Sequence, residues 1–213
     1  MRQTDEGDIL SRSVAVWPRL FATVGGIDDN ALMLPRLSPT HLPIAASSAR
    51  LFLAAWPDET TTKQIAAYCR QCRWPHRAAP VSPSRHHLTL HLIGTVDRAR
   101  LPEIAAGLGV ALQPCQLLFD QPALWPNDIA VLQASVLPPP LSALHDQLAD
   151  ALRRLALPVE KRRFRPHLTL ARHANGAMLP VLAAPVCWPI DGYALVESVL
   201  GRSGGYCIVQ RYA

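Results

Sequence analysis

Strand-like alternation and helix-like stripes take turns along this chain from about residue 50 onward. Leu51-Phe52-Leu53-Ala54-Ala55 is a short apolar run that ends at Trp56-Pro57, the pattern of a buried strand. Asp58 is placed to cap a helix running over residues 58–73. Residues 80–84 are turn-rich. Residues 86–93 alternate as a strand does and stop at Gly94. Pro102 opens a helix that carries Ile104, Ala105, Leu108 and Leu112 on one side. Two more strands follow, over residues 115–119 and 129–134, with Trp125-Pro126-Asn127-Asp128 as the turn between them.

Three prolines, 138 to 140, then introduce the clearest amphipathic helix. Leu141, Leu144, Leu148, Leu152 and Leu155 form its apolar stripe. A basic loop with Lys161, Arg162, Arg163 and Arg165 leads through Pro166 into a strand over residues 167–171. The tail predicts strands over residues 194–200 and 206–211, joined by a glycine-rich hairpin at 201–205. The elements therefore fall into two similar halves, each built around one of these histidine-led strands. Such order suggests an internal pseudo-twofold. Residues 1–48 lack sustained periodicity and end in a Pro, Ser and Thr-rich stretch. They read as a flexible extension, or as a start placed too early, with Met33 as one internal alternative. The organised domain is expected over residues 49–213.

The two halves share a tetrad. His87-Leu88-Thr89-Leu90 and His167-Leu168-Thr169-Leu170 lie eighty residues apart. On a strand, side chains i and i+2 point the same way. His87 and Thr89 thus share a face, which His91 is expected to continue, while Leu88, Leu90 and Leu92 back onto the core. His167 and Thr169 share the corresponding face of the second copy. His86 is out of phase and is left out of the site. An imidazole with an ordinary pKa near 6.5 serves as acid or base at neutral pH. Two of them, one charged and one neutral, can serve the attacking water and the leaving alkoxide of a cyclic phosphodiester. The threonine hydroxyls can donate to the non-bridging oxygens, where charge accumulates. No metal or other cofactor is required by this scheme.

Composition changes the picture only modestly. The chain has 213 residues, 49% of them hydrophobic, enough for a sizeable core. The net charge of +5 favours anionic partners without naming one. Of the 21 basic residues only Lys63 and Lys161 are lysines. Arginine suits bidentate phosphate contacts, although base composition explains the bias as well. Five scattered cysteines do not form a disulfide framework, and Cys69-x-x-Cys72 lacks a second ligand pair for zinc. Reduced thiols, acidic residues near the N-terminus and the lack of a long apolar run point to a cytoplasmic chain with no membrane segment or export signal.

The quoted motifs, with Arg50-Leu51-Phe52-Leu53-Ala54, the run from His91 to Gly94, the run from Phe164 to Arg172, and Leu195-Val196-Glu197-Ser198 followed by Tyr206, resemble the 2H (two-histidine) phosphoesterases. Within them the chain is most similar to RNA 2′,3′-cyclic phosphodiesterases, also called LigT-like 2′-5′ RNA ligases. The resemblance covers about residues 49–213, and Ile93 departs from the Phe that relatives often carry. It implies a two-lobed α+β fold, with helices outside antiparallel sheets and the two H-x-T strands facing a central cleft. It implies His87 as proton donor, His167 as proton acceptor, Thr89 and Thr169 as phosphate-binding residues, and a 2′-phosphate product. His91, Arg165 and Arg172 are further candidates for RNA or phosphate contact. His91 stands where many relatives carry Lys or Arg, and Arg172 falls on the opposite face unless its strand twists or bulges. Trp125, Trp188 and Tyr193 could stack on a base, with core or turn anchoring as the plainer reading. The implied partners are RNA ends or nucleotides bearing a cyclic phosphate, with no obligate protein partner evident. Three alternatives stay open: action on a small cyclic or 2′-5′-linked nucleotide, a non-catalytic nucleotide or RNA-binding module, and a zinc hydrolase built from the eight histidines.

Overall fold

A computed structural model describes residues 47–199 and 205–213. The extension expected over residues 1–48 lies outside the described residues except for its last two, and so does most of the 201–205 hairpin link. The first strand, β1, spans Ser48–Ala55. Helix α1 covers Glu59–Cys69, and its first turn is capped by the Asp58 carboxylate, which accepts from the Thr61 amide at 2.7 Å. It is shorter than the sequence predicts. After Cys69 the chain leaves the helix through a turn over residues 70–72, and Arg73 then exchanges two backbone hydrogen bonds with Met178.

The remaining elements are β2 (Ala79–Pro80), β3 (Leu88–Asp97), α2 (Leu101–Gly107), β4 (Cys115–Phe119), β5 (Gln121–Trp125), β6 (Ile129–Gln133), α3 (Pro139–Arg154), β7 (His167–Arg172), β8 (Val186–Ile190), β9 (Tyr193–Val199) and β10 (Gly205–Tyr212). Strands β5 and β8 escape the sequence reading because each contains a proline. Edge strands tolerate proline where its missing N–H faces away from a neighbour, and β5 is an edge strand.

The fold is mixed α+β with antiparallel sheets. One sheet runs β10-β9-β1-β3-β7-β6-β5, with β2 added to β7, and β4 pairs with β8 in a small second sheet. Each half repeats strand, helix, motif strand: β1-α1-β3 and β6-α3-β7, with β1 paired to β3 and β6 to β7. The halves meet where β3 and β7 form a ladder at a single position, Leu88 opposite Leu168. Both leucines are fully buried.

Helices and the small sheet cover one face of the large sheet. Leu141, Leu144, Leu148 and Leu152 of α3 are sealed in that core. Each such side chain contributes roughly 1.5–3 kcal/mol by leaving water. Leu155, predicted to continue the stripe, sits at the helix C-cap and is only partly buried. The opposite face carries a smaller apolar cluster of Phe52, Ala54, Ala194 and Val196, flanked by Trp56, Tyr206 and Ile208.

The alternation expected along β3 breaks at a bulge. Thr89 faces Ala54 and His91 faces Leu53, so Leu90 is an extra residue. Leu90 and His91 both turn into the core, and Leu92 turns outward at 55% exposure. Two expectations are corrected here. His91 does not continue the His87 face, and Leu92 does not pack in the core. Strand β7 has the same bulge at the same motif position. Val131 faces Thr169 and Ala130 faces Ala171, leaving Leu170 extra. Leu170 and Ala171 are both fully buried, and Arg172 turns out to the other face.

His86 is 2% exposed, and neither ring nitrogen has a hydrogen-bond partner among the described residues. Burial, with a smaller contribution from His87, pushes its pKa down to about 4. The unfolded chain therefore binds more protons than the folded one between about pH 4 and 6.5. This group's contribution is whole above pH 6.5 and is lost as the pH falls through that window, to a total of roughly 3 kcal/mol. Urea unfolding at pH 7 and pH 4.5 checks this. His86→Leu should lose clearly less stability between the two than the parent protein, and equal losses would refute the assignment.

Candidate active site

Antiparallel pairing of Leu88 with Leu168 turns both side chains to the same, core-facing side. Their chain neighbours must then point to the other side. Continuing the register sets Thr89 opposite His167 and Thr169 opposite His87. The four polar members of the two tetrads thus lie on one face around one seam, each histidine across from the other copy's threonine. All four are half-buried.

The two imidazoles are held alike. His87 Nδ1 lies 2.8 Å from the Arg85 carbonyl, and His167 Nδ1 lies 2.8 Å from the Arg165 carbonyl. A carbonyl only accepts, so Nδ1 carries the proton in both rings. Each Nε2 is thereby left as the atom that can take or give a proton.

Around the rings the twofold fails, and the differences matter chemically. His87 stacks on Trp56 at 5.4 Å between centroids and 25° between planes. Phe52 at 5.3 Å and Tyr206 at 5.1 Å complete an aromatic surround. The Arg85 guanidinium sits 5.1 Å from the centre of the Tyr206 ring, a cation–π contact. Among the described residues His167 has one aromatic neighbour, Trp125, at 4.4 Å. The Trp125 indole donates to Gln133, which in turn donates to Gln121, and Gln133 faces His167 across the ladder.

Burial lowers the pKa of both histidines, against the pull of the carbonyl bonds. His87 is lowered further by His167, Arg85 and Arg172. His167 instead feels Glu160, which raises it. The balance of charge thus differs between the rings, with Arg85 and Arg172 acting on His87 and Glu160, itself paired with Arg162, acting on His167. The bulge at Leu170 is what brings the Arg172 charge to this face. At the matching place on β3 stands the exposed Leu92.

Of the predicted site residues, His87, Thr89, His167 and Thr169 are half-buried on the two strands that meet at the Leu88–Leu168 pair, and His167 and Arg172 act electrostatically on His87. Arg165 supplies its carbonyl and keeps an exposed side chain. His91 is on the other side of the sheet, where its Nε2 donates to the His145 carbonyl at 2.9 Å. Trp188 and Tyr193 are buried in the core, away from any stacking role. Trp125 lies at the site. The sequence reading missed Arg85, Phe52 and Trp56 as site residues. Arg85 was detectable, because the repeat extends one turn upstream: Arg85-His86-His87-Leu88-Thr89-Leu90 matches Arg165-Pro166-His167-Leu168-Thr169-Leu170.

Known proteins resemble this chain in sequence and fold. A family model described as the 2′-5′ RNA ligase superfamily matches residues 58–201. The chain belongs to that superfamily. It is 28% identical over 180 residues to an RNA 2′,3′-cyclic phosphodiesterase of Thermus thermophilus, covering 77% of this chain and 89% of the relative. Its fold matches E. coli LigT complexed with 3′-AMP at a TM-score of 0.71 and 24% identity, over 78% of this chain and 98% of that one. A second solved structure, also from Thermus thermophilus, matches at a TM-score of 0.64 and 25% identity, over 76% and 96% of the two chains. As a superfamily member the protein is an enzyme of the phosphodiesterase type, and the two tetrads sit where its two halves join.

Among the described residues, no group of three or more His, Cys, Asp or Glu is arranged to hold a metal ion. No helix among them is long and apolar enough to cross a membrane. The electrostatic asymmetry is open to measurement by NMR titration of the histidines. Both His87 and His167 should titrate below the ordinary value. Arg172→Ala should raise His87 and leave His167 in place. An unchanged His87 would show that this arginine does not reach the site.

Proposed function

We propose that the protein opens 2′,3′-cyclic phosphates at RNA ends to 2′-phosphates without a metal, using His87 as proton donor and His167 as proton acceptor. The observation that carries this reading is the pair of matched Nδ1–carbonyl bonds on one face. They leave two Nε2 atoms free on strands that meet at the Leu88–Leu168 pair.

The step balances with these groups. His167 Nε2 takes a proton from water as the water oxygen bonds to phosphorus. The bond from phosphorus to the 3′ oxygen breaks, and His87 gives that oxygen its Nε2 proton. A 2′-phosphate and a free 3′ hydroxyl remain. Thr89 and Thr169 donate hydroxyl hydrogens to the non-bridging oxygens, whose negative charge grows in the transition state. Arg85, Arg165 and Arg172 supply positive charge for the phosphate and the chain behind it. The aromatic rings of Trp56, Tyr206 and Trp125 border the same seam and offer π faces to a base.

The surroundings of the two rings differ: Arg85 and Arg172 lower the pKa of His87, and Glu160 raises that of His167. The arriving phosphate anion then favours the charged form at His87. The activity for which the Thermus relative is named agrees with this substrate class, and LigT has been crystallised with 3′-AMP on the same fold. Five cysteines without disulfides among the described residues fit a cytoplasmic setting.

The test is hydrolysis of an oligonucleotide ending in a 2′,3′-cyclic phosphate, in EDTA, with product identification. His87→Ala and His167→Ala should each lose about 10²–10⁴-fold in kcat. A 3′-phosphate product would reverse the assignment of the leaving oxygen. Far faster turnover of a free cyclic nucleotide would move the substrate away from RNA ends. Binding without turnover would make the protein a recognition module. The pH profile of kcat/KM should be a bell with its maximum on the acid side of about 6.5, because burial lowers both groups. A flat profile from about pH 5 to 9, with chemistry limiting, would contradict paired histidine catalysis.

A further inference from the structure

The two catalytic rings lean on carbonyls that are themselves held in unlike ways. On the His87 side the support is local. Residues Pro83–Arg85 form a 3-10 turn in which the Arg85 amide donates to the Ser82 carbonyl at 2.9 Å and the His86 amide to Pro83 at 3.2 Å. On the His167 side, residues 155–166 contain no helix or strand, and Lys161, Arg162, Arg163 and Arg165 are all exposed. The Arg165 carbonyl must therefore be fixed from elsewhere.

A column of three rings is in place to do this. His91 of β3 stacks on His145 of α3 at 4.1 Å and 22°, and His145 stacks on Phe164 at 4.3 Å and 13°. The base of the column is rigid. His91 is 2% exposed, and its Nε2 donates to the His145 backbone carbonyl. The top of the column is Phe164, next in the chain to Arg165. One residue further on, the buried Pro166 is tied by its carbonyl, which accepts from the Ala134 amide at 3.1 Å. Arg165 is thus clamped between two anchored neighbours.

We propose that His145 and Phe164 are positioning residues for His167. The ring column fixes the Arg165 carbonyl, and that carbonyl fixes the Nδ1–H tautomer and the aim of Nε2. This rests on the two-histidine reading above and extends it to residues on the far side of the sheet. The Nδ1 of His91, without a hydrogen-bond partner among the described residues, follows from the same design, since its ring is there as a stacking surface. A tautomer error at a catalytic histidine costs rate and leaves binding largely intact.

The experiment uses the full chain and two readouts. The first is ¹⁵N NMR of the histidine side chains without substrate, which reports which ring nitrogen carries the proton. In His145→Ala, His167 should change from a single Nδ1–H form to a mixture, while His87 keeps its form. His145→Phe preserves a stacking ring and should keep the parent pattern. The second is turnover of the cyclic-phosphate oligonucleotide. His145→Ala should lower kcat by about 10-fold or more with little change in KM, and His145→Phe should restore it. If His145→Ala does not fold, Phe164→Leu keeps apolar bulk while removing the stack, and should show the same His167 change. An unaltered His167 tautomer in a folded His145→Ala or Phe164→Leu protein would overturn the proposal. So would loss of rate in His145→Phe equal to that in His145→Ala. If the parent protein turns over no cyclic phosphate, the substrate reading fails, and the NMR comparison still decides the positioning role.

Discussion

One ladder pair, Leu88 with Leu168, sets the geometry on which the site depends. Because strand side chains alternate, burying these two leucines on one side commits His87, Thr89, His167 and Thr169 to the other. A shift of one residue at this seam would turn the tetrads into the core and leave the leucines in solvent. The cost of that exchange, two leucines exposed and several polar groups buried without partners, is what keeps the register. The identical bulges at Leu90 and Leu170 then end the tetrad face in the same way on both strands.

Given that frame, small departures from symmetry separate the two histidines chemically. Past the bulge, one strand sends Arg172 to the site face and the other sends Leu92. Arg85 and Arg172 act on His87, whereas Glu160 acts on His167. The carbonyl bonds are equal in length, yet one carbonyl belongs to a compact proline-led turn and the other to a loop secured by stacked rings. A symmetric scaffold thus supplies two Nε2 atoms, and its lining differs around each of them.

Most of this frame was legible in the sequence, because it depends on local pattern. The repeated tetrad, the α3 stripe and the Asp58 cap are all short-range signals with a fixed period. The bulges were not legible. A bulge is decided by how two strands share their ladder, and nothing within His91 or Leu92 marks it. For this reason simple alternation puts His91 on the wrong face and places Arg172 on the site face only if its strand twists or bulges. Strands β5 and β8 were hidden by Pro122 and Pro189, which an interior strand would not accept but an edge does. The aromatic surround of His87 draws on β1, β10 and the segment after β1, so it exists only once the sheet has formed. Arg85 is a different case, since it sits in plain view two residues before His87, as Arg165 does before His167.

The central claim is that both Nε2 atoms address one phosphorus from opposite sides. A crystal structure with a nucleoside vanadate bound as a five-coordinate mimic of the transition state tests it most directly. The account requires His87 Nε2 and His167 Nε2 each within hydrogen-bond reach of a different apical oxygen, with the two threonine hydroxyls on equatorial oxygens. A vanadate held by only one of the histidines, or with both rings on the same apical oxygen, would contradict it.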